Sequence, residues 1–419
     1  MRCIFEQIMA LNYIWIFFFV AAFAVAFIRF ALTGDTEIFK TIIDSTFVSS
    51  KSAVMDIALP LTGVMVLWLG LMNIGERAGA VNFMARIVGP FFERLFPELP
   101  RKSPVFGQML MNFSANILGL DNAATPLGLK AMQGLQENNP NKDTASNAQI
   151  MFLAINTSGL TIIPVSILAQ RAILGAANPT DIFIPVLIAT TISTLTAIIT
   201  VSLRQRIKLL DPVLLSWIGG IIVAIGALTL WMHHLEKDKL ELVSKIGSNM
   251  LLILIIGAFI VGAFFKKVNV YEAFIDGAKN GFEVTVKIIP YLVAMLVGIA
   301  VFRASGSMDY IINGLDWCFA SMGLDTEFVA ALPTAFMKPL SGSGAKAMMV
   351  EAMQHYGPDS FVGRLSCLFQ GAADTTFYIL ALYFGSIGIR KTRYAVTAGL
   401  IADLSGVIAA ILLAYMFFA

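Results

Sequence analysis

Four clusters of polar residues interrupt otherwise apolar stretches of the chain, and each has side chains that could hold a small polar solute or an ion. They lie at 112–128, 156–164, 333–346 and 370–376. The first and fourth each contain an aspartate, and the third contains two lysines. Polar groups within apolar helices cost free energy, so such clusters indicate either a binding site or a structural network.

Glycine and proline residues within the clusters are expected to break the helices that carry them. Broken helix ends leave backbone N–H and C=O groups able to bind a solute or an ion, in addition to the side chains. We therefore predict a substrate-binding site made of Asn112, Asn116, Asp121, Asn122, Thr125, Asn156, Thr157, Ser158, Thr161, Lys338, Ser341, Ser343, Lys346, Gln370, Asp374, Thr375 and Thr376.

Structural roles compete with this interpretation. Serine and threonine hydroxyls in membrane helices often bond to their own backbone, and small residues serve close helix packing. The aspartates favour function more strongly, because a carboxylate at a helix centre costs ~2.5–3.5 kcal/mol on insertion scales. A structural pair of Asp374 with Lys338 or Lys346 is the main alternative. Asp403, in the last apolar stretch, is a further candidate.

The elements that must position these clusters are membrane helices. Of 419 residues, 58% are hydrophobic and 13% are charged, whereas soluble domains carry about 25% charged residues. Long apolar stretches near the ~20 residues that a spanning helix needs occur at 11–32, 54–74, 148–172, 183–202, 213–232, 249–265, 286–302, 362–384 and 396–418. The broken regions 105–133 and 328–352 are interpreted as re-entrant hairpins.

Two further segments, 80–96 and 308–322, have apolar residues at helical spacing on one side. Each predicts an amphipathic helix, either at the membrane interface or packed within the protein.

The two halves of the chain match in order and spacing. Pro60 and Met65 correspond to Pro290 and Met295, and Thr161 corresponds to Thr376 within a polar break. We predict a first repeat over 1–203, a linker with one transmembrane helix over 204–248, and a second repeat over 249–419.

Loop charges predict how the halves are oriented. With a cytoplasmic N-terminus, the inner loops are 75–104, 203–212, 266–287 and 386–395. The outer loops are then 33–52, 171–182, 233–248 and 303–330. Roughly twice as many Lys and Arg residues lie in the inner loops, as the positive-inside rule requires. The fold class predicted is an all-α polytopic membrane protein of two inverted-topology repeats, with about nine transmembrane helices and two re-entrant hairpins, in a bacterial cytoplasmic (inner) membrane.

Composition argues against several other classes. The net charge of +2 does not favour nucleic acid. Three cysteines without a CxxC pair and three histidines predict neither a disulfide framework nor a metal site, and we predict no cofactor. The Ser-Gly-Ser-Gly run at 341–344 lacks the Gly-Lys-Ser/Thr pattern of a nucleotide-binding loop.

The clusters also carry a resemblance to a known family. The first half, with Gly-Leu-Asp-Asn-Ala-Ala-Thr-Pro-Leu-Gly at 119–128 and Asn-Thr-Ser-Gly at 156–159, resembles spore maturation protein A. The second half, with Lys-Pro-Leu-Ser-Gly-Ser-Gly at 338–344 and Asp-Thr-Thr-Phe-Tyr at 374–378, resembles spore maturation protein B. Both are similar to the "gate" or nucleoside recognition family, which implies transport or gating and names no substrate.

The leading hypothesis is a transporter or permease-like protein that moves a small polar solute, with Na⁺ or H⁺ as a possible coupling ion, in a lipid bilayer. A homo-oligomer is compatible with the sequence. The alternative is a non-transporting membrane sensor or scaffold of envelope or spore maturation. A membrane enzyme ranks third, since no convincing nucleophile–base pair or metal set is present.

Overall fold

A computed structural model describes residues 2–99, 103–118, 121–233 and 237–419. Within these residues the chain forms helices, and its extended pairing is limited to an isolated bridge between Thr144 and Lys391. The prediction of an all-α membrane protein is confirmed. Residues 119 and 120, in the first polar cluster, lie outside the described residues.

The first half contains long helices followed by a helical hairpin and a broken helix. These helices are α1 Arg2–Thr33, α2 Glu37–Ser52, α3 Leu59–Arg77, α4 Ala80–Leu95, α5 Pro104–Ile117, α6 Asp121–Glu137, α7 Asn147–Ser158, α8 Val165–Ile173 and α9 Phe183–Gln205. A π-helical turn at Ala53–Ala58 joins α2 to α3 just before Pro60, which lacks the N–H of a regular helical bond.

The second half repeats most of this order after one additional helix. Its helices are α10 Pro212–His233, α11 Lys237–Phe265, α12 Val270–Ala304, α13 Ser307–Ser321, α14 Leu332–Met337, α15 Gly342–Tyr356, α16 Phe361–Ala372, α17 Thr376–Ser386 and α18 Ala395–Phe418. With α10 as the linker, α11–α18 follow the order of α1–α9 with α12 in the place of α2 and α3. The repeat bounds and the inverted orientation stay predictions.

Six helical segments among the described residues are long and apolar enough to cross a membrane. A seventh is added if the pair Leu292–Ala304 and Ser307–Ser321, bent by 73°, counts as one span. The predicted total of nine stays a prediction, for two reasons. The stretch 148–172 is divided into α7 and α8, and the stretch 249–265 contributes a shorter apolar helix, Leu252–Phe265.

Three of the predicted segments between membrane spans are largely helical. Residues 33–52 contain α2, 233–248 contain the start of α11, and 266–287 contain the first half of α12. Helix α12 begins where the Asn269 side chain accepts a hydrogen bond from the Glu272 N–H at 3.2 Å, and it continues without a break into its apolar part. The sequence did not indicate these helices, because polar residues on a helix that extends beyond the apolar stretch resemble an irregular connection.

The two segments predicted as amphipathic helices are confirmed as helices, α4 and α13. Each begins directly after a glycine in the left-handed region, Gly79 and Gly306, both with φ of 85°. A positive φ favours glycine, which explains why the chain can turn sharply at these points.

Helices α3 and α12 approach closely where α12 has glycines. A Cβ on Gly277 would lie 2.3 Å from the Leu69 carbonyl oxygen, and one on Gly281 would lie 2.7 Å from that of Met65. Small residues at such crossings let helix backbones pack tightly in a membrane. This contact joins the first half to the second.

A buried ionic network also joins the two halves. Arg171, predicted in an outer loop, is fully buried at the end of α8. Its guanidinium donates to Asp181 at 2.8 Å and to Asp359, which precedes α16, at 3.0 Å. Arg364 on α16 donates to the other oxygen of Asp181 at 2.8 Å. The connection between α8 and α9 is thereby held against the start of α16.

Candidate functional site

A cavity of about 540 Å³ lies where both hairpins and both broken helices of the two halves meet. Its walls come from the α5–α6 hairpin, the break between α7 and α8, the α14–α15 hairpin, and the break between α16 and α17. All four polar clusters of the sequence therefore contribute to the same cavity.

The two helix breaks contact each other through their backbones. Helix α7 ends at Ser158, and the next residue, Gly159, has φ of 63°. The Asp374 N–H donates to the Thr157 carbonyl oxygen at 2.8 Å. A Cβ on Gly159 would lie only 2.7 Å from the Asp374 nitrogen. Gly159 thus meets two requirements, a left-handed backbone and a close crossing of the second break.

We expect Gly159→Ala to destabilise the protein by more than the conformational cost of a left-handed alanine, which is about 1–2 kcal/mol. The added methyl group would also separate the two breaks. Gly34→Ala is the matched control, because Gly34 has φ of 69° and nothing within 4 Å of the Cβ position. Thermal unfolding of both purified variants measures the difference. Equal losses would contradict a tight crossing at Gly159.

Each break is also tied to the hairpin of its own half by an equivalent hydrogen bond. The Ile162 N–H donates to the Ile117 carbonyl oxygen at 2.7 Å, and the Phe377 N–H donates to that of Pro339 at 3.0 Å. Each bond joins the chain after a break to the chain at the end of the first hairpin helix. The same local arrangement is thus built twice around the cavity.

The second hairpin brings a helix N-terminus to the cavity. Ser341 begins α15, and its hydroxyl accepts from the Gly344 N–H at 3.0 Å. Ser343 and Lys346 on α15 line the cavity together with Lys338 on the other side of the tip. Helix N-termini carry partial positive charge, so the α15 end and both lysines place positive potential on this wall.

The first hairpin is held by amide side chains. Asn112 donates to the Ala124 carbonyl oxygen at 2.8 Å, and Asn116 donates to the Asn156 side chain at 2.8 Å. Asn116, Thr125 and Asn156 line the cavity. The side chains of Asp121 and Asn122 lie outside the described part of the structure.

Apart from Asp121 and Asn122, the predicted residues divide into two groups. Those that line the cavity are Asn116, Thr125, Asn156, Thr161, Lys338, Ser343, Lys346, Gln370 and Asp374. Those whose side chains are not part of its lining are Asn112, Thr157, Ser158, Ser341, Thr375 and Thr376.

The residues of the second group are placed in the surrounding framework. The hydroxyls of Thr157 and Ser158 donate to carbonyl oxygens of their own helix, at 3.1 and 2.9 Å. Ser341 caps α15, and Thr376 donates to Asp403 at 2.7 Å. Thr375 is buried, and its hydroxyl would lie 2.7 Å from a Cβ on Gly342. These contacts position the lining residues.

One of the acidic candidates, Asp374, is more exposed than the sequence indicated. Asp374 is exposed and lines the cavity, with one oxygen accepting from the Thr375 N–H at 2.7 Å. Asp403 is the buried carboxylate, with 5% of its surface exposed. Asp374 can therefore meet a solute directly, whereas Asp403 lies behind the wall.

One wall of the cavity, formed by α17, was not predicted from the sequence. Tyr378, Ile379, Leu382 and Tyr383 of α17 all line it, at the spacing of a single helix face. Tyr383 stacks on Phe152, with ring centroids 6.1 Å apart. The sequence contains a pattern that could have indicated this wall, because two tyrosines on one helix face follow Asp374. Aromatic rings with a polar tip are common at binding sites.

Comparison with known proteins follows the same division of the chain. The "Gate" family model, described as nucleoside recognition, matches residues 58–174 and 285–390. The chain is 44% identical to spore maturation protein B of Bacillus subtilis (strain 168) over 179 residues, which is 43% of this chain and 98% of that protein. It is 40% identical to spore maturation protein A of the same organism over 188 residues, 45% of this chain and 92% of that protein.

No solved structure matches the chain significantly. The two segments of the family match fall one in each predicted repeat, and each carries one hairpin and one helix break. The resemblance inferred from the motifs is confirmed.

Proposed function

The chain belongs to the Gate family of nucleoside recognition membrane proteins, and from this premise we propose that it is a transporter or permease-like protein that moves a small polar solute through the central cavity. The family relation and the apolar helices make it a multi-pass membrane protein. We also propose that the protein lies in the bacterial cytoplasmic membrane with its N-terminus in the cytoplasm, and that it catalyses no reaction.

One observation carries the proposal: the cavity lies at the crossing of two broken helices that come from different halves. Transporters with repeats commonly bind their solute between discontinuous helices, and they change access by moving one part against the other. Here the Asp374 N–H to Thr157 contact is a backbone bond between the halves, at the wall of the cavity. A small relative movement of the halves would open or close that wall.

The lining suits a small polar solute. A volume of about 540 Å³ lies within the range of ~300–1,000 Å³ that ligand pockets occupy. Amides, hydroxyls, two lysines, a carboxylate and two tyrosine rings are all present on the walls. Such a lining can form hydrogen bonds with many edges of one solute while the rings contact its apolar face.

Flux in proteoliposomes tests the proposal. The purified protein is reconstituted, and uptake of a panel of labelled nucleosides, amino acids and organic acids is compared with protein-free vesicles. We expect uptake of at least one class above the control. Binding of a solute without uptake would favour the sensor or scaffold, and chemical conversion would favour an enzyme. Either of those results would overturn transport.

The orientation is tested by labelling single cysteines in a variant that lacks the native ones. We expect Lys239→Cys, before the apolar part of α11, to react with an impermeant reagent added from outside. Lys208→Cys, between α9 and α10, is expected to react only after the membrane is opened. The reverse pattern would place the N-terminus outside.

A further inference from the structure

Asp403 is a buried carboxylate whose hydrogen bonding is incomplete. It is the only charged residue within α18. One of its oxygens accepts from the Thr376 hydroxyl at 2.7 Å, and the other has no hydrogen-bond partner among the described residues. An ionised carboxylate in this setting has lost its water and gained a single neutral donor, which does not compensate the loss.

Few charges face Asp403 from the neighbouring helices. Helices α7 and α17 contain no charged residue. The charged residue of α9 is in its last turn, and the charged residues of α11 are all in its first third. Arg364 of α16 is engaged by Asp181 and Asp359. Lys338 and Asp374 are the described charged groups that act on Asp403 electrostatically, with opposite effects.

Two hydroxyl oxygens lie against α18 next to Gly399, near Asp403 in the helix. One turn before Asp403, a Cβ on Gly399 would lie 3.1 Å from the Thr376 hydroxyl and 3.5 Å from that of Thr157. The Thr376 hydroxyl donates its hydrogen to Asp403, and the Thr157 hydroxyl donates to the Ala154 carbonyl oxygen. Both oxygens therefore present lone pairs, which suits a cation and does not suit an anion.

Helix ends of both signs lie near Asp403: α17 begins at Thr376 with partial positive charge, and two other helices end nearby with partial negative charge. Helix α7 ends at Ser158 and α16 ends at Ala372, and α18 packs against both. A Cβ on Gly406, one turn after Asp403, would lie 3.1 Å from the Ala372 carbonyl oxygen. The C-terminal end of a helix carries partial negative charge, and such ends coordinate Na⁺ or H⁺ in transporters with broken helices.

We propose that Asp403 and Thr376 form a binding site for a monovalent cation, a proton or Na⁺, whose occupancy is coupled to the solute in the central cavity. Thr376 begins the helix that follows the second break, and Asp374 of that break lines the cavity. A cation at Asp403 would change the electrostatic balance among Asp403, Asp374 and Lys338, and thereby the wall that the solute meets. The coupling rests on the proposed transport, whereas the binding of the cation does not.

Thermal melting of the purified protein in detergent tests the binding. The melting temperature is measured against pH in choline chloride, and against NaCl replacing choline chloride at constant pH. We expect the wild type to respond to at least one cation, and Asp403→Asn to lose that response. Asp309→Asn, at an exposed carboxylate on α13, is the matched control and should keep it. A pH response that Asp403→Asn removes identifies the proton, and a NaCl response that it removes identifies Na⁺.

The proposal is overturned if Asp403→Asn keeps the wild-type response, or if the wild type shows none. It is also overturned if Asp403→Asn is unstable and regains wild-type stability with Lys338→Met, because Asp403 would then be half of a structural ion pair. If Asp403→Asn cannot be purified, the same measurement is made on Thr376→Val. This variant keeps the Asp403 carboxylate and removes the hydroxyl that donates a hydrogen bond to it. A changed cation response supports the site, and an unchanged response overturns it.

Failure of the proposed function would look different. If no solute crosses the membrane but the melting response depends on Asp403, the cation site is supported and the proposal of transport is overturned. If solute crosses equally fast at all cation concentrations and in Asp403→Asn, transport is supported and the coupling to a cation is overturned.

Discussion

Asp374→Asn is expected to abolish most solute flux while the protein folds and inserts normally. Asp374 is exposed on the cavity wall, and the hydrogen bond that its side-chain oxygen accepts from the Thr375 N–H can also be accepted by an asparagine. The local backbone should therefore persist. A hydrogen bond from a solute to a charged group contributes ~1.5–3 kcal/mol, so flux at low solute concentration should fall by roughly 10- to 150-fold.

Proteoliposome uptake and thermal melting together separate the possible roles of Asp374. Asp309→Asn is the control and should retain uptake. If Asp374 instead forms a structural pair with Lys338 or Lys346, its removal should lower the melting temperature. That loss would be rescued by also replacing the lysine. Normal uptake and normal stability of Asp374→Asn would show that Asp374 is neither a binding residue nor part of a structural pair.

Arg171→Met is expected to produce the largest loss of stability, with the free energy of unfolding lowered by ~3–5 kcal/mol. Arg171 is fully buried, and besides Asp181 and Asp359 it donates to the carbonyl oxygens of Asn178 and Pro179, both at 3.3 Å. A methionine fills a similar volume and leaves all of these acceptors without that donor. Arg171→Lys should rescue little, because an ammonium group cannot reproduce the donor geometry of a guanidinium.

The exposed pair of Arg29 and Asp35 supplies the control. Arg29→Met removes a pair in which both side chains are about a third exposed or more, and such pairs contribute ~0–1 kcal/mol. Melting of the two variants under the same conditions measures the difference. Equal melting temperatures would contradict a strongly stabilising role of the Arg171 network.

The loss in Arg171→Met should also depend on pH. Burial raises the pKa of Asp181, and the guanidinium groups of Arg171 and Arg364 oppose that change. Without Arg171 the folded-state pKa lies further above the unfolded value, so the folded state binds the proton more strongly. Its stability is then lost as pH rises through the folded pKa, and the variant should be further below wild type at pH ~7 than at pH ~5.

The two halves differ at the position that we assign to the cation. Asp403 lies in α18 near where the first half has Thr191 in α9, and the Thr191 hydroxyl donates to the Leu187 carbonyl oxygen of its own helix at 2.6 Å. Under the predicted repeat, a carboxylate in the second half takes the place of a hydroxyl in the first, and the two breaks then differ in their electrostatic surroundings. That inequality would let one cation bias two otherwise similar halves, which a symmetric pair could not do.

The sequence by itself determined the membrane class, the four polar clusters and the positions of the breaks. These properties are local: an apolar stretch of sufficient length spans a membrane, and glycine or proline within it interrupts the helix. The motif resemblance was equally readable from consecutive residues, and the family match confirms it.

Only the tertiary structure decided which members of each cluster face the cavity. Asn156 and Thr161 line it, whereas Thr157 and Ser158, between them in the chain, bond to their own helix. The rotation of a helix about its axis depends on what packs against each side, which consecutive residues do not encode. The tyrosines of α17 were missed for the same reason.

Burial of charge was likewise decided by packing. Arg171 looked like a loop residue and is fully buried, while Asp374 looked buried and is exposed to the cavity. Arg171 is compensated in its buried position by Asp181 and by Asp359, and Asp359 comes from a distant part of the chain. Such partners are joined by the fold and not by the sequence order, so only the folded chain distinguishes a buried charge from an exposed one.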